Sequence, residues 1–165
     1  LATHDLDAMC FLTGSRAVRV YAESRREVHT SREDLVSALV RFEDDTVGTL
    51  EVNWLTPTKR RELVVTGERG MFHVDYLTQD LTFYENAQAL PATFPALSVL
   101  RGVSEGSMTR FAIPKVEPLR AELDAFLRAV GGDASRIVSA DDGARALGLA
   151  QALVDSATRR EVVAC

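Results

Sequence analysis

Lysine is almost missing from this chain: Lys59 and Lys115 are its only two, so nearly all of its 19 basic residues are arginines. These stand singly or in pairs such as Arg25-Arg26, Arg60-Arg61 and Arg159-Arg160, and 24 acidic residues bring the net charge to −5. No basic stripe tracks a phosphate backbone, which argues against a nucleic-acid partner. Cysteine is equally sparse. Cys10 and Cys165 offer neither metal-ligand spacing nor a disulfide framework, and a reducing cytoplasm is the expected compartment. No apolar run approaches the ~20 residues of a membrane helix, so no membrane partner is expected. The G-x-G-x-x-G fingerprint, the G-x-S-x-G elbow, Ser-x-x-Lys and the phosphate-cradling P-loop are all missing. The chain therefore reads as unable to bind a dinucleotide or run a nucleophilic reaction by itself. It opens on Leu1 with no initiating methionine, charged leader or apolar signal core, and reads as a piece of a longer protein.

What is present is an ordinary globular composition, 46% hydrophobic and 26% charged over 165 residues, which predicts one domain spanning residues 1–165. Apolar residues at helical spacing predict a helix over Thr3–Thr13, ended by Gly14. From Ala17 the period changes to two, with Val18, Val20 and Ala22 alternating with Arg19, Tyr21 and Glu23. Leu35–Phe42 and Val47–Trp54 read as a hairpin across an acidic turn, and Arg61–Thr66 with Gly70–Tyr76 as a second. Thr78–Glu85 adds a strand, Asn86–Ser107 reads as a long connection, and Arg110–Ile113 as a last strand stopped by Pro114. A helix opens at Glu117-Pro118 with Leu119, Leu123, Phe126/Leu127 and Val130 as its buried stripe. Another follows the capping signal Ser139-x-x-Asp142, with Leu147, Ala150, Val154 and Ala157 along one face. A helix, a run of strands and two helices without βαβ alternation predict an α+β fold, a mostly antiparallel sheet with helices on one face.

The densest chemistry lies in His4-Asp5-Leu6-Asp7. A histidine and a carboxylate three residues on share a helix face, but no second cluster completes a metal site, and none is expected. Thr3 can act as a cap with the acids favouring the positive helix end, or His4 can exchange a proton with a substrate hydroxyl. Trp54 through Arg60 ends a strand with an amphipathic ring, a proline and two cations. It can form a rim for sugars and anions through Trp54, Lys59 and Arg60, or be a solvated hairpin connection. Tyr76 can offer its hydroxyl to a substrate or pack as a rim tyrosine. His29 and His73 read as ordinary surface or half-buried residues.

Taken in order, several segments resemble the C-terminal domain of the Gfo/Idh/MocA family of NAD(P)-dependent oxidoreductases. They are Ala2-Thr3-His4-Asp5-Leu6-Asp7 leading to Leu12-Thr13-Gly14, Val47 to Trp54 followed by Pro57, and Val65 to Gly70, then Glu117 to Leu123 with Phe126-Leu127, and Ser139 to Leu147. Thr56 to Lys59 and Val74 to Leu81 look most like members acting on nucleotide-linked amino sugars. The resemblance implies an N-terminal Rossmann domain, absent from this chain, that binds NAD or NADP and carries a lysine in a Glu-Lys-Pro motif. It implies an Asp-x-x-x-His element whose histidine falls on His4, its aspartate lying just before Leu1. By this analogy His4 takes or orients the proton of a sugar, polyol or nucleotide-sugar hydroxyl while hydride passes to nicotinamide, and Asp7 is structural. The chain would then be the substrate-binding and oligomerisation half of a dehydrogenase, inactive alone, forming a homodimer or homotetramer through its open sheet face. The alternative is a non-enzymatic assembly or ligand-binding module with the same fold.

Overall fold

The computed structural model describes residues 2–28, 32–87, 105–134 and 137–165. It is α+β, with every paired strand antiparallel and the strands divided between two four-stranded sheets. Two compact units result, Leu1–Pro57 with Ala125–Cys165, and Thr58–Asp124.

In the first unit, β1 (Ala17–Arg25), β2 (Leu35–Phe42) and β3 (Val47–Asn53) form a meander, and a two-residue strand β8 (Val163–Ala164) closes the order β3-β2-β1-β8. The period-two pattern does what it predicts. Val20 and Ala22 of β1, Ala38, Val40 and Phe42 of β2 and Leu50 of β3 point inward and are buried, whereas Arg19, Tyr21 and Glu23 share the opposite face. Two helices cover the inner face, α1 (Ala2–Thr13) and the C-terminal helix Ala140–Arg159, and they place Leu6, Leu149 and Leu153 in the same core. Gly48 is inward-facing too. A Cβ there would lie 2.8 Å from the sulfur of Met9 and 3.4 Å from Cε2 of Phe42, so its missing side chain is what lets α1 sit close to β3.

The C-terminal helix begins as its capping signal predicts: Asp142 N–H donates to Ser139 Oγ at 3.1 Å, and Ser139 N–H donates to the Asp142 carboxylate at 3.2 Å. Its buried face is Ala146, Leu149, Leu153 and Ser156, whereas Leu147 is 65% exposed and Val154 also faces outward. Of the expected face, Ala150 and Ala157 do pack against the core, while Leu147 and Val154 do not, so the centre of the buried stripe lies one residue earlier. Both sets satisfy helical spacing, and a serine does not look like a core residue until its partners are seen. Ser156 is fully buried, accepts from Ala22 N–H at 3.0 Å and donates to the Glu161 carbonyl at 2.6 Å, tying β1 to the turn that leads into β8. Ser156→Ala leaves both backbone groups without this partner and should cost about 2 kcal/mol, read as a lower urea midpoint at unchanged slope.

In the second unit, β4 (Glu62–Gly67), β5 (Gly70–Asp75), β6 (Asp80–Asn86) and β7 (Glu105–Phe111) pair in sequence order. Gly70 closes the first hairpin with φ +152°, and a Cβ there would fall 2.2 Å from the Tyr84 carbonyl oxygen, so only glycine fits. The register gathers Leu63, Val65, Phe72, Val74, Leu81, Phe83 and Phe111 on one face, where Phe72 packs on Phe83 with ring centroids 4.6 Å apart. The opposite face carries Glu62, His73, Asp80, Thr82 and Arg110.

Two further expectations need correction. The last strand starts at Glu105, inside the stretch read as connection, and ends at Phe111; Gly106, Ser107 and Thr109 gave it little apolar pattern. The helix Pro118–Val130, here α2, has its predicted extent, but Leu119, Leu123, Phe126, Leu127 and Val130 are all exposed, because an amphipathic stripe reports what a helix can bury, not what it does bury. Strand β8 carried no signal, since two residues are too short for a period. The C-terminal helix is numbered α3. His29 and most of the predicted 86–107 connection lie outside the described residues.

Candidate functional site

His4 stands exposed in the first turn of α1, two residues before Leu6, which is completely buried. The histidine is thus presented to solvent by a helix locked into the core. Helix α1 already includes Ala2, so Thr3 is inside the first turn and is not the cap; Asp5 is the acid of that turn. Asp7 is half-buried.

Trp54 leaves the end of β3 with its ring 69% exposed, while its N–H donates to the Asp34 carbonyl at 2.9 Å. Asn53 organises the turn beyond it: the Asn53 side-chain oxygen accepts from the N–H groups of Leu55 and Thr56 at 3.0 and 2.9 Å and from the Thr56 hydroxyl at 2.6 Å. Asp34 is the residue sequence reasoning missed. It is buried, its Oδ2 accepts from Glu27 N–H and Val28 N–H at 2.6 Å each, and its own N–H donates to the Arg25 carbonyl. One aspartate therefore joins the ends of β1, β2 and β3 and positions the backbone of Trp54. No local pattern around Asp34 signals this role, which appears only once the chain brings the Glu27 and Val28 N–H groups to its carboxylate.

Lys59, Arg60 and Tyr76 belong to the second unit, and all three are exposed. Arg60 pairs with Glu62 at 3.0 Å, which also lies 3.8 Å from His73 Nε2. Tyr76 N–H donates to the Arg61 carbonyl at 2.9 Å, placing Tyr76 beside the Arg60-Arg61 pair at one end of the sheet. At that same end Asp75 accepts from Leu77 and Thr78 N–H, and Asp80 is 2.8 Å from Arg110 and 3.6 Å from Lys115, so one of the two lysines is engaged in an ion pair. The structure thus brings Arg60 and Tyr76 to a common charged edge, while His4 and Trp54 belong to the first unit.

The hydrogen bond from Arg110, with help from Thr78 and the nearby charges, holds the Asp80 carboxyl down at about 2 from the ordinary 3.8. The folded pKa is depressed, so the contribution of Asp80 to stability is complete above 3.8 and is lost as pH falls toward about 2. Asp80→Asn should flatten that part of the acid-unfolding curve, with a small amplitude because the pair is open to solvent. Among the described residues no three His, Cys, Asp or Glu side chains could hold a metal ion, and no helix is long and apolar enough to cross a membrane.

Residues 1–73 match the model of the GFO/IDH/MocA C-terminal domain. The N-terminal 73 residues are thus similar to the C-terminal domain of Gfo/Idh/MocA proteins. The domain is similar to the UDP-N-acetylglucosamine 3-dehydrogenase GnnA from Acidithiobacillus ferrooxidans, at 26% identity and a TM-score of 0.75 over 94% of this chain and 47% of that one. It shares its fold with an aldose-aldose oxidoreductase from Caulobacter crescentus, solved with glycerol, at 18% identity and a TM-score of 0.73 over 99% of this chain and 46% of that one. It also shares its fold with the WlbA dehydrogenase from Bordetella pertussis, solved with NADH and UDP-GlcNAcA, at 22% identity and a TM-score of 0.66 over 99% and 43%. The domain spans about half the length of these solved chains. No curated protein matches it.

Proposed function

We propose that this domain is the substrate-binding and assembly half of an NAD(P)-dependent oxidoreductase acting on a hydroxyl of a sugar, polyol or nucleotide-linked sugar. The observation that carries the reading is its 26% identity, across 94% of its length, to a UDP-N-acetylglucosamine 3-dehydrogenase. Oxidising a secondary alcohol requires the hydroxyl proton to leave, and an imidazole on an anchored helix is suited to take it. His4 fills that role. Trp54 offers a flat amphipathic surface for a sugar ring, Lys59 and Arg60 suit phosphate or carboxylate, and the Tyr76 hydroxyl can bond a substrate oxygen.

The residues of this chain do not fit a nicotinamide dinucleotide by themselves. Among the described residues all strands are antiparallel and no glycine-rich turn joins a strand to a helix, and the N-terminus of α3 is already closed by Ser139 and the Asp142 carboxylate, which would repel a pyrophosphate. The cofactor would be held by a nucleotide-binding domain outside these 165 residues. Assembly would use the outer sheet face, as a homodimer or homotetramer, in a reducing compartment such as the cytoplasm that suits the two free thiols.

The test is a substrate screen on the complete protein, followed through NAD(P)H absorbance with UDP-N-acetylhexosamines, free sugars and polyols. Turnover of at least one is expected, and retention of ligand binding without any hydride transfer would instead identify a non-enzymatic binding module. A neighbouring coding sequence without a G-x-G-x-x-G strand-helix unit within roughly one domain length, ~150 residues, would sink the reading.

A further inference from the structure

Cys10 and Cys165 are far apart in the sequence, yet the fold brings both to one corner of the first unit, and both are free thiols. Cys165 directly follows β8. The pairing of β8 with β1 sets Val163 opposite Val20 and Ala164 opposite Arg19, and the ladder continues as the Cys165 N–H donates to the Val18 carbonyl at 3.0 Å. Side chains alternate along a strand, so Cys165 shares the face of Val163, which packs on the buried core beneath the helices. Cys10 comes to that same side of the sheet on α1. It packs against the same core, and its carbonyl accepts the Gly14 N–H at 3.0 Å where the helix ends. Only Gly14, Ser15 and Arg16 separate α1 from β1, so the last turn of α1 stays beside the first residues of β1, where Val18 meets Cys165. The electrostatics agree. Burial raises the Cys10 thiol above its ordinary pKa; burial raises Cys165 too, and so does the negative charge of Cys10, which must be close to be felt.

We propose that Cys10 and Cys165 are a disulfide-forming pair, a modification site that staples α1 to β8 when the protein meets a low-molecular-weight disulfide such as glutathione disulfide. Exposure sets the order of events, because Cys165 is exposed and Cys10 is half-buried. The ionised Cys165 sulfur attacks one sulfur of the small disulfide and expels one glutathione thiolate, leaving a mixed disulfide. Cys10 then gives up its proton, attacks the Cys165 sulfur and expels the second glutathione thiolate. The two protein thiols are oxidised, glutathione disulfide is reduced to two thiols that take up the two protons, and a reductant reverses both steps. Raised thiol pKa values keep the thiolate fraction small, so the exchange is slow. Strand β8 has two paired residues, and a shift of Cys165 toward α1 therefore disrupts little structure. The loop closed between residues 10 and 165 takes in nearly the whole chain, and long loops gain most from closure. The stapled helix is the one that carries His4, so oxidation stiffens the mounting of that residue and leaves its imidazole free. The chemistry stands whether or not the domain belongs to a dehydrogenase.

The experiment is to incubate the full-length protein with glutathione disulfide, block the remaining thiols with iodoacetamide, and map the peptides by mass spectrometry. A linked pair of peptides carrying Cys10 and Cys165 is expected, and it should vanish in Cys10→Ser and in Cys165→Ser. Oxidation should raise the urea midpoint of the wild type by roughly 1 M, and dithiothreitol should reverse the rise, because the staple restricts the unfolded chain far more than the folded one. Cys165→Ser changes an exposed position and should keep the midpoint of the reduced wild type with or without oxidant. Separate glutathione adducts on the two cysteines, thiols that stay open to iodoacetamide, or a link from either cysteine to a different cysteine or a second molecule overturns the proposal. A Cys10–Cys165 link that leaves the midpoint where it was overturns the stapling of α1 to β8.

Discussion

Phe42→Ala should lower the stability of the protein by about 3–5 kcal/mol, the largest loss expected from any single truncation in the first unit. Phe42 is 2% exposed at the end of β2, with Met9 of α1 and the bare backbone of Gly48 around its ring. Removing the ring leaves a void under α1 that the close Gly48 contact cannot fill, because no side chain exists there to move in. A loss of this size is about a fifth or more of the stability of a typical domain. The check is urea unfolding with Phe126→Ala beside it. Phe126 has the same chemistry, but 60% of it is exposed on α2, and its truncation should change the midpoint by no more than about 0.5 kcal/mol. Equal effects at the two positions would show that α2 is covered in solution and that the two rings are equally buried there.

On the proposed function, His4→Gln in the full-length protein should lower kcat about 100- to 10,000-fold, the ordinary contribution of a positioned proton acceptor, with substrate affinity nearly unchanged. Glutamine keeps the size and a hydrogen-bonding end but cannot carry the proton. Because His4 is exposed while its helix is held by Leu6, the substitution should leave the unfolding midpoint where it was. His4→Gly should regain part of its activity on addition of free imidazole, a response that a purely structural histidine would not produce. If His4→Gln retains full kcat, the proton goes elsewhere and the role proposed for His4 fails.

The antiparallel meander was legible because its alternation is strict. Val20-Tyr21-Ala22-Glu23 leaves no ambiguity about which face is wet, and a slip of one residue would bury Arg19 and Arg41. The capping box at Ser139 and the proline that opens α2 were legible for the same reason: each is a local chemical demand met by local residues. What escaped was whatever depends on a distant partner. Ser156 and Asp34 look like surface residues until β1 brings the Ala22 N–H to the serine and a folded loop brings Glu27 and Val28 to the aspartate. The phase of α3 escaped as well, since Leu147 and Leu149 are equally apolar and only the sheet chooses between them. Strand β7 had its pairing with β6 to order it rather than any hydrophobic pattern of its own.

Among the candidate site residues, the order of motifs from His4 to Leu147 pointed by itself to the Gfo/Idh/MocA family and to a chain without a dinucleotide fingerprint. The family rests on that resemblance alone, whereas local spacing suffices for the missing fingerprint because it records which backbone conformations and which chemistries each segment can support. The tertiary structure decided that His4 rides on a helix bolted to the core, that Trp54 hangs from a buried aspartate, that Arg60 and Tyr76 meet at a charged edge, and that Cys10 and Cys165 reach one corner of the first unit. Those facts are distances between residues far apart in the chain. They are set by which apolar faces find each other when water is excluded, and no short stretch of sequence contains that information.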